Sequence, residues 1–392
     1  MSEAFLGVPR VLNAGGAQSR LGGSILSERV RAAMSDAGTA YVDIEALHDA
    51  AGRRLAALTS NDAAWVSAGS AAGIMVAVAA CIAGDDPQRA AAHPRAKERR
   101  PVAVWRGHLV GELAGADAIH ANGYLNSVTA GGGQVRVIDE LDDVRPTDAA
   151  ALWFPGMYPH PDEDGLLDRL IASAHRHGVA VIVDAADQVP PRSRLWSYTT
   201  GQGADLAIFS GGKGIGGPTS SGLVVGSGEL VAACRANSGT EHGAGRTAKV
   251  GREEILGLLA AVDELMAGDE EAEYAERLRT VRAWAAHLAS SELVLSEDPR
   301  GHCGQAIPRL LVRIPSGRRE CRDAIVAALW ARSPRVAVLL APEATLAVSP
   351  QLLSAEQTEP VIQAIEDEWR KHRSACAACN GTRAADDPGE SR

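Results

Sequence analysis

The sequence predicts an α/β protein: a mainly parallel sheet covered by helices, followed by a smaller α+β domain. Three observations lead there. Short apolar runs of strand length alternate with helical patterns through the first two thirds of the chain. Two of those runs end in residues that carry chemistry, Asp184 and the stretch ending at Lys213. After about residue 300 the pattern changes to fewer strands and a long closing helix.

Taken in order, residues 63–67 (AAWVS) read as a strand. SAGSAAG (67–73) then turns into IMVAVAACIAG, apolar on every side and therefore a buried helix. Residues 86–101 (DPQRAAAHPRAKERRP) are polar and basic and read as a solvated surface loop. VAVW (102–105) is the next strand. DGLLDRLIASAHRHG (164–178) has helical periodicity and ends at Gly178, and VAVIVDAA (179–186) follows as a buried strand. DLAIFS (205–210) and SGLVVG (221–226) are two more. A long helical section starts near residue 245. PRLLVRI and RVAVLLA supply strands to the C-terminal domain, and EQTEPVIQAIEDEWRKH closes it. The expected division is an N-terminal segment at 1–55, a large domain at 56–265, a small domain at 266–373 and a disordered tail at 374–392.

Composition narrows the function. The 392 residues carry 46% hydrophobic and 22% charged residues with a net charge of −10. Nucleic-acid binding needs a basic surface, so that partner class is not expected. No apolar run of spanning length occurs, no secretory leader is visible, and a cytoplasmic protein with no membrane partner is expected. Six scattered cysteines suit reduced thiols. Cys376 and Cys379 form a lone C-x-x-C in a polar tail, and no metal ligand is assigned.

The densest signal is FSGGKGIGGPTSSG (209–222). A P-loop needs a hydroxyl residue directly after its lysine, whereas Gly214 follows Lys213, so nucleotide binding of that type fails. No G-x-G-x-x-G opens a helix after an early strand, which leaves a nicotinamide-binding domain unsupported. A different pairing fits. Asp184 and Lys213 each end a strand, at the edge where open α/β sheets bind ligands. A carboxylate on so apolar a strand needs a cationic partner, which a protonated pyridine nitrogen supplies, and a lysine amine forms the matching Schiff base. SAGSAAG places small residues at a helix N-terminus, a position suited to a phosphate dianion.

Together, NAGGAQSRLGGS (13–24), YVDIEALHDAAG (41–52), SAGSAAG, RGHLVGELAGA (106–116), VDAADQVPP (183–191), GADLAIFSGGKGIGGPTSSG (203–222) and GRTAKVGREEILGLLAA (245–261) resemble the selenocysteine synthase (SelA)-like family of fold-type-I enzymes dependent on pyridoxal 5′-phosphate (PLP). The resemblance implies an aspartate aminotransferase-like fold with a seven-stranded sheet and PLP as cofactor. It makes Lys213 the Schiff-base lysine, Asp184 the partner of the pyridine nitrogen, and His108 and Ala186 the groups against the ring. Gly69, Ser70, Ala71 and Ser210 become phosphate ligands, and Gln188 reaches the phenolic oxygen. Arg246 and Lys249 are placed near substrate or the phosphate of a neighbouring subunit, and Arg335 at the substrate carboxylate. A homodimer and a small amino substrate are implied, with lyase chemistry of the β-elimination or ammonia-lyase type. Oxidative or decarboxylative chemistry, transamination, aldol cleavage and non-catalytic PLP binding are the alternatives. Two positions depart from the family pattern: Ala17 stands where a threonine is usual, and Asp187 replaces a small residue beside the cofactor.

Overall fold

The structure, a computed structural model, describes residues 5–93, 99–109, 123–155, 163–239 and 243–378. It divides into two compact units. One comprises residues 22–268 with 302–305; the other comprises 1–21, 269–301 and 306–392. The sequence places the divisions at 55/56 and 265/266 instead. Strand β1 (Val11–Asn13) belongs to the second unit.

The larger unit holds β2 (Ala63–Ser67), β3 (Arg100–Trp105), β4 (Gly133–Ile138), β5 (Ala150–Trp153), β6 (Ala180–Asp184), β7 (Leu206–Ser210) and β8 (Gly222–Gly226). They form one seven-stranded sheet in the order β2-β8-β7-β6-β5-β3-β4, in which β8 alone runs antiparallel to its neighbours. The strands are apolar on both faces because both faces are covered. Val181 and Val183 of β6, with Ala207 and Phe209 of β7, enter one apolar cluster. Ile182, Leu206 and Ile208 enter the other. This period of two distributes side chains to opposite layers. The first layer is completed by helices α1 (Glu28–Ala37), α2 (Ile44–Leu58), α4 (Glu163–Arg176) and α6 (Arg252–Ala267). The second is completed by α3 (Ser70–Ala83) and α5 (Gly228–Ala236). All strands read from the sequence in this unit are present.

Some readings are corrected. Residues 86–101 are not wholly loop: Asp86 caps a short helix over Pro87–Ala92, accepting from the N–H groups of Gln88 and Arg89, and Arg100 already belongs to β3. Residues 94–98 lie outside the described set. Strands β4 and β5 escape the sequence reading. The first is a half-exposed edge strand and the second is a four-residue, alanine-rich segment, so neither shows a long apolar run.

In the second unit, β1 pairs in parallel with β11 (Arg335–Ala337). Strands β9 (Val294–Asp298), β10 (Arg309–Arg313), β12 (Leu339–Ala341) and β13 (Thr345–Val348) form an antiparallel sheet ordered β12-β13-β10-β9. RVAVLLA is therefore two strands in two sheets. Helices α7 (Glu270–Leu288), α8 (Arg319–Ala331) and α9 (Ala355–Ala378) pack on this sheet through Val281, Trp284, Ile325, Leu329, Ile365 and Trp369. Helix α9 runs past the expected start of the tail at 374, and residues 379–392, including Cys379, lie outside the described set. No helix among the described residues is long and apolar enough to cross a membrane.

Candidate active site

The carboxyl ends of β2, β6 and β7 meet at one edge of the large sheet. Ser67 and Ser210 both stand opposite Gly222 of β8, and Asp184 stands opposite Ile208, two residues before Ser210. Burial of Asp184 pushes its carboxyl pKa up from 3.8 to about 6. The Ala186 N–H donated to Oδ1 (3.2 Å) and the charge of Lys213 offset this only in part. A carboxylate held in this state favours a cationic or N–H partner.

Lys213 follows β7 in a turn that is braced from far along the chain. Ser24 donates its hydroxyl to the Lys213 carbonyl oxygen (2.8 Å) and its N–H to that of Gly212 (2.8 Å), and Thr219 donates to the Gly22 carbonyl. These contacts give the GGS end of the N-terminal motif its role. The Lys213 amine is partly open, with Nζ 3.8 Å from Oδ2 of Asp187. Two glycines of this turn, Gly212 and Gly214, are required by close packing. A Cβ on Gly214 would overlap the Val189 carbonyl oxygen, and one on Gly212 would lie 2.6 Å from Thr219 Cα.

SAGSAAG behaves differently. Asp43 and Ser27 cap α2 and α1 with their side chains, whereas Gly69 caps α3 without a side-chain hydrogen bond. Gly69 sits at φ 107°, ψ 161°, a conformation reserved almost entirely for glycine, and no atom lies within 4 Å of where its Cβ would be. The first N–H groups of α3, from Ser70 and Ala71, follow directly at the positive end of the helix. Ser210 lies two strands away along the same sheet edge, about 10 Å at ordinary strand spacing.

His108 ends a helical turn (Arg106–His108) just after β3 and is 3% exposed. Its ring meets Trp153 edge-on at 4.1 Å and Trp105 at 5.1 Å, and those two indoles stack at 5.7 Å. Nδ1 accepts the Phe154 N–H (3.4 Å), which puts the ring proton on Nε2. Burial lowers its pKa to about 3, so the ring is neutral at physiological pH. The part of RGHLVGELAGA after Leu109 lies outside the described residues.

Gln188 sits otherwise than predicted. The side chain of Gln188 is buried and committed to protein. It donates to the carbonyl oxygens of Pro155 (2.9 Å) and Cys303 (3.1 Å) and accepts from the Tyr198 hydroxyl (3.0 Å), so it is a scaffold group. Arg246 and Lys249 are exposed; Arg246 donates to the Gly239 carbonyl oxygen (2.9 Å) in a turn packed on Val76, and neither contacts Asp184 or Lys213. In the second unit, the Arg335 guanidinium lies over the Trp330 ring at 4.9 Å. Ala186 follows Asp184 closely and is half-buried.

The donor set fits PLP. It combines a partly open amine, a buried carboxylate seeking a cation, an uncapped helix start with an open glycine cradle, and a neutral aromatic ring. Sequence reasoning missed Trp105 and Trp153 behind His108, and the cluster of Asp187, His302 and Cys303 beside Lys213. The departure at Asp187 was the only signal that pointed there.

No family model matches the chain. It is 33% identical over 389 residues to a 5′-C-glycyluridine monooxygenase-decarboxylase from Streptomyces sp, spanning 96% of this chain and 94% of that protein. It is 28% identical over 312 residues to a D-glucosaminate-6-phosphate ammonia lyase from Salmonella typhimurium, covering 79% of this chain and 81% of the relative. Among solved structures, a D-glucosaminate-6-phosphate ammonia-lyase superposes with a TM-score of 0.76 at 23% identity, over 94% of this chain and 98% of the other. The serine palmitoyltransferase of Sphingomonas wittichii gives 0.56 at 14% identity, over 89% and 85%.

Proposed function

The chain belongs to the SelA-like family of fold-type-I enzymes dependent on pyridoxal 5′-phosphate, and from that premise we propose a lyase of the β-elimination or ammonia-lyase type acting on an amino-acid-like substrate. The observation that carries the reading is the convergence of Lys213 and the buried, poorly compensated Asp184 at one sheet edge.

When bound, the cofactor supplies an electron-accepting ring conjugated to the substrate amine and α-carbon. Lys213 Nζ would hold the cofactor, and as a free amine it would accept and return a proton at the substrate α-carbon. Asp184 would hold a proton at the cofactor's ring nitrogen, and a cation there would keep its own carboxyl ionised. The N–H groups of Ser70 and Ala71, together with the hydroxyls of Ser70 and Ser210, take the phosphate at Gly69. Neutral His108 and half-buried Ala186 would border the cofactor ring. Asp187 holds the Lys213 ammonium in place while the amine is free. Arg246 and Lys249 are the cationic groups proposed for the acidic groups of the substrate. The working form is proposed to be a cytoplasmic homodimer.

A second reading, oxidative decarboxylation, is favoured by the match to the Streptomyces monooxygenase-decarboxylase across nearly the whole chain. Incubating the PLP-loaded protein with a panel of amino acids, with and without oxygen, separates the two. Ammonia and keto acid in equal amounts regardless of oxygen support the lyase. Carbon dioxide released with oxygen uptake supports the second reading, and keto acid formed only with an added amino acceptor overturns both in favour of transamination.

A further inference from the structure

Beside Lys213, three donors of different chemistry converge. Asp187 offers a carboxylate oxygen, His302 an imidazole nitrogen and Cys303 a sulfur, and these atoms all lie within 4.8 Å of one another. They come from two places in the larger unit: the turn after β6 and the 302–305 segment. His302 Nε2 is 3.5 Å from Asp187 Oδ2. Tetrahedral bonds of about 2.0–2.3 Å set ligand atoms roughly 3.3–3.8 Å apart, so that pair already has the needed spacing.

The backbone carrying the two adjacent donors is pinned by buried amides. Gln188 donates to the Cys303 carbonyl oxygen (3.1 Å), and Gln305, 3% exposed, accepts the Cys303 N–H (3.0 Å). Outer groups of this kind are what hold ligands in place around a metal. We propose that Asp187, His302 and Cys303 form a three-ligand site for a zinc-class divalent cation.

One sulfur, one nitrogen and one oxygen ligand select a borderline-soft ion over magnesium or calcium, and three protein ligands leave a fourth position open. The Asp187 carboxylate that would ligate the ion also pairs with Lys213 Nζ at 3.8 Å. A bound dication therefore competes with the Lys213 ammonium for this carboxylate. Metal occupancy is tied to the state of the lysine.

The test is titration of the full-length protein, stripped with chelator, with Co²⁺ as the probe in both cofactor-free and PLP-loaded forms. The expected result is one equivalent bound, with tetrahedral d–d bands and a thiolate-to-cobalt charge-transfer band, all bleached by Zn²⁺. Cys303→Ser abolishes the charge-transfer band. His302→Ala, at a side chain 47% exposed and so tolerant of truncation, weakens binding at least about 10-fold. The double variant Cys376→Ser, Cys379→Ser leaves the spectrum unchanged. The proposal is overturned by absence of the bands, by an octahedral spectrum without charge transfer, or by a spectrum that survives Cys303→Ser and disappears in the tail variant. None of these outcomes bears on cofactor attachment to Lys213.

Discussion

Two glycine-rich turns stand at the same edge of the large sheet, and their glycines serve opposite ends. In 67–73, Gly69 holds a backbone conformation closed to other residues, and the space before it is empty. In 210–217, Gly212 and Gly214 are needed because protein already fills the space: Gly214 meets the Val189 carbonyl and Gly212 meets Thr219. The first turn leaves open the space proposed for a ligand's phosphate. The second packs so tightly that Lys213 emerges from a rigid base. Glycine content alone does not distinguish a cradle from a close-packed turn, and the difference appears only when the neighbours are known.

Substitutions should separate the two turns, and the largest effect belongs to the packed one. Gly214→Ala has no room to relax, because the opposing atom is backbone, and should lower unfolding free energy by about 4 kcal/mol or more in denaturant titrations. A variant of near-normal stability would break the comparison.

Asp184→Asn probes what the ligand-facing edge costs the cofactor-free protein. A raised carboxyl pKa means the folded state holds a proton that the unfolded state releases. That contribution is full below about pH 4 and is lost as pH rises through about 6. The rise from 3.8 to about 6 corresponds to roughly 3 kcal/mol at neutral pH. The cofactor-free Asn variant should therefore be more stable than the parent at pH 7, by up to about that amount, and should lack the decline between pH 4 and 6.5. Its activity should be nearly absent. A parent profile that is flat over this range contradicts the buried-carboxylate account.

Gly69→Ala should have the smallest effect on stability, about 1–3 kcal/mol from backbone strain with no steric overlap. Its effect on cofactor affinity should be large, because the methyl group enters the open cradle. Fluorescence titration with PLP gives the affinity. Reversal of the pattern, with Gly69→Ala crippling the fold and sparing PLP binding, would remove the cradle.

Much of this edge was legible in the sequence because its signals are local. An apolar strand closed by Asp184, a second followed by SGGK, and small residues leading into an apolar helix each occupy fewer than about ten residues. What the sequence did not disclose depends on partners far apart. Gln188 looks like a cofactor ligand beside Asp184, yet its amide is spent on Pro155, Tyr198 and Cys303. Cys303 and His302 lie more than 110 residues from Asp187, so no spacing rule could join them. RVAVLLA reads as one strand because nothing in its composition marks the change of sheet between Ala337 and Leu339. Trp105 reads as the end of the strand VAVW and Trp153 lies in a strand that the sequence reading missed; only the fold stacks them behind His108.

The central claim is that Lys213 carries the cofactor. Borohydride reduction of the PLP-loaded protein, followed by digestion and mass spectrometry, tests it directly. A pyridoxyl phosphate group should be fixed to the peptide containing Lys213 and be absent from Lys213→Ala. A label on Lys249 or another lysine, or a label that persists in the variant, would contradict it.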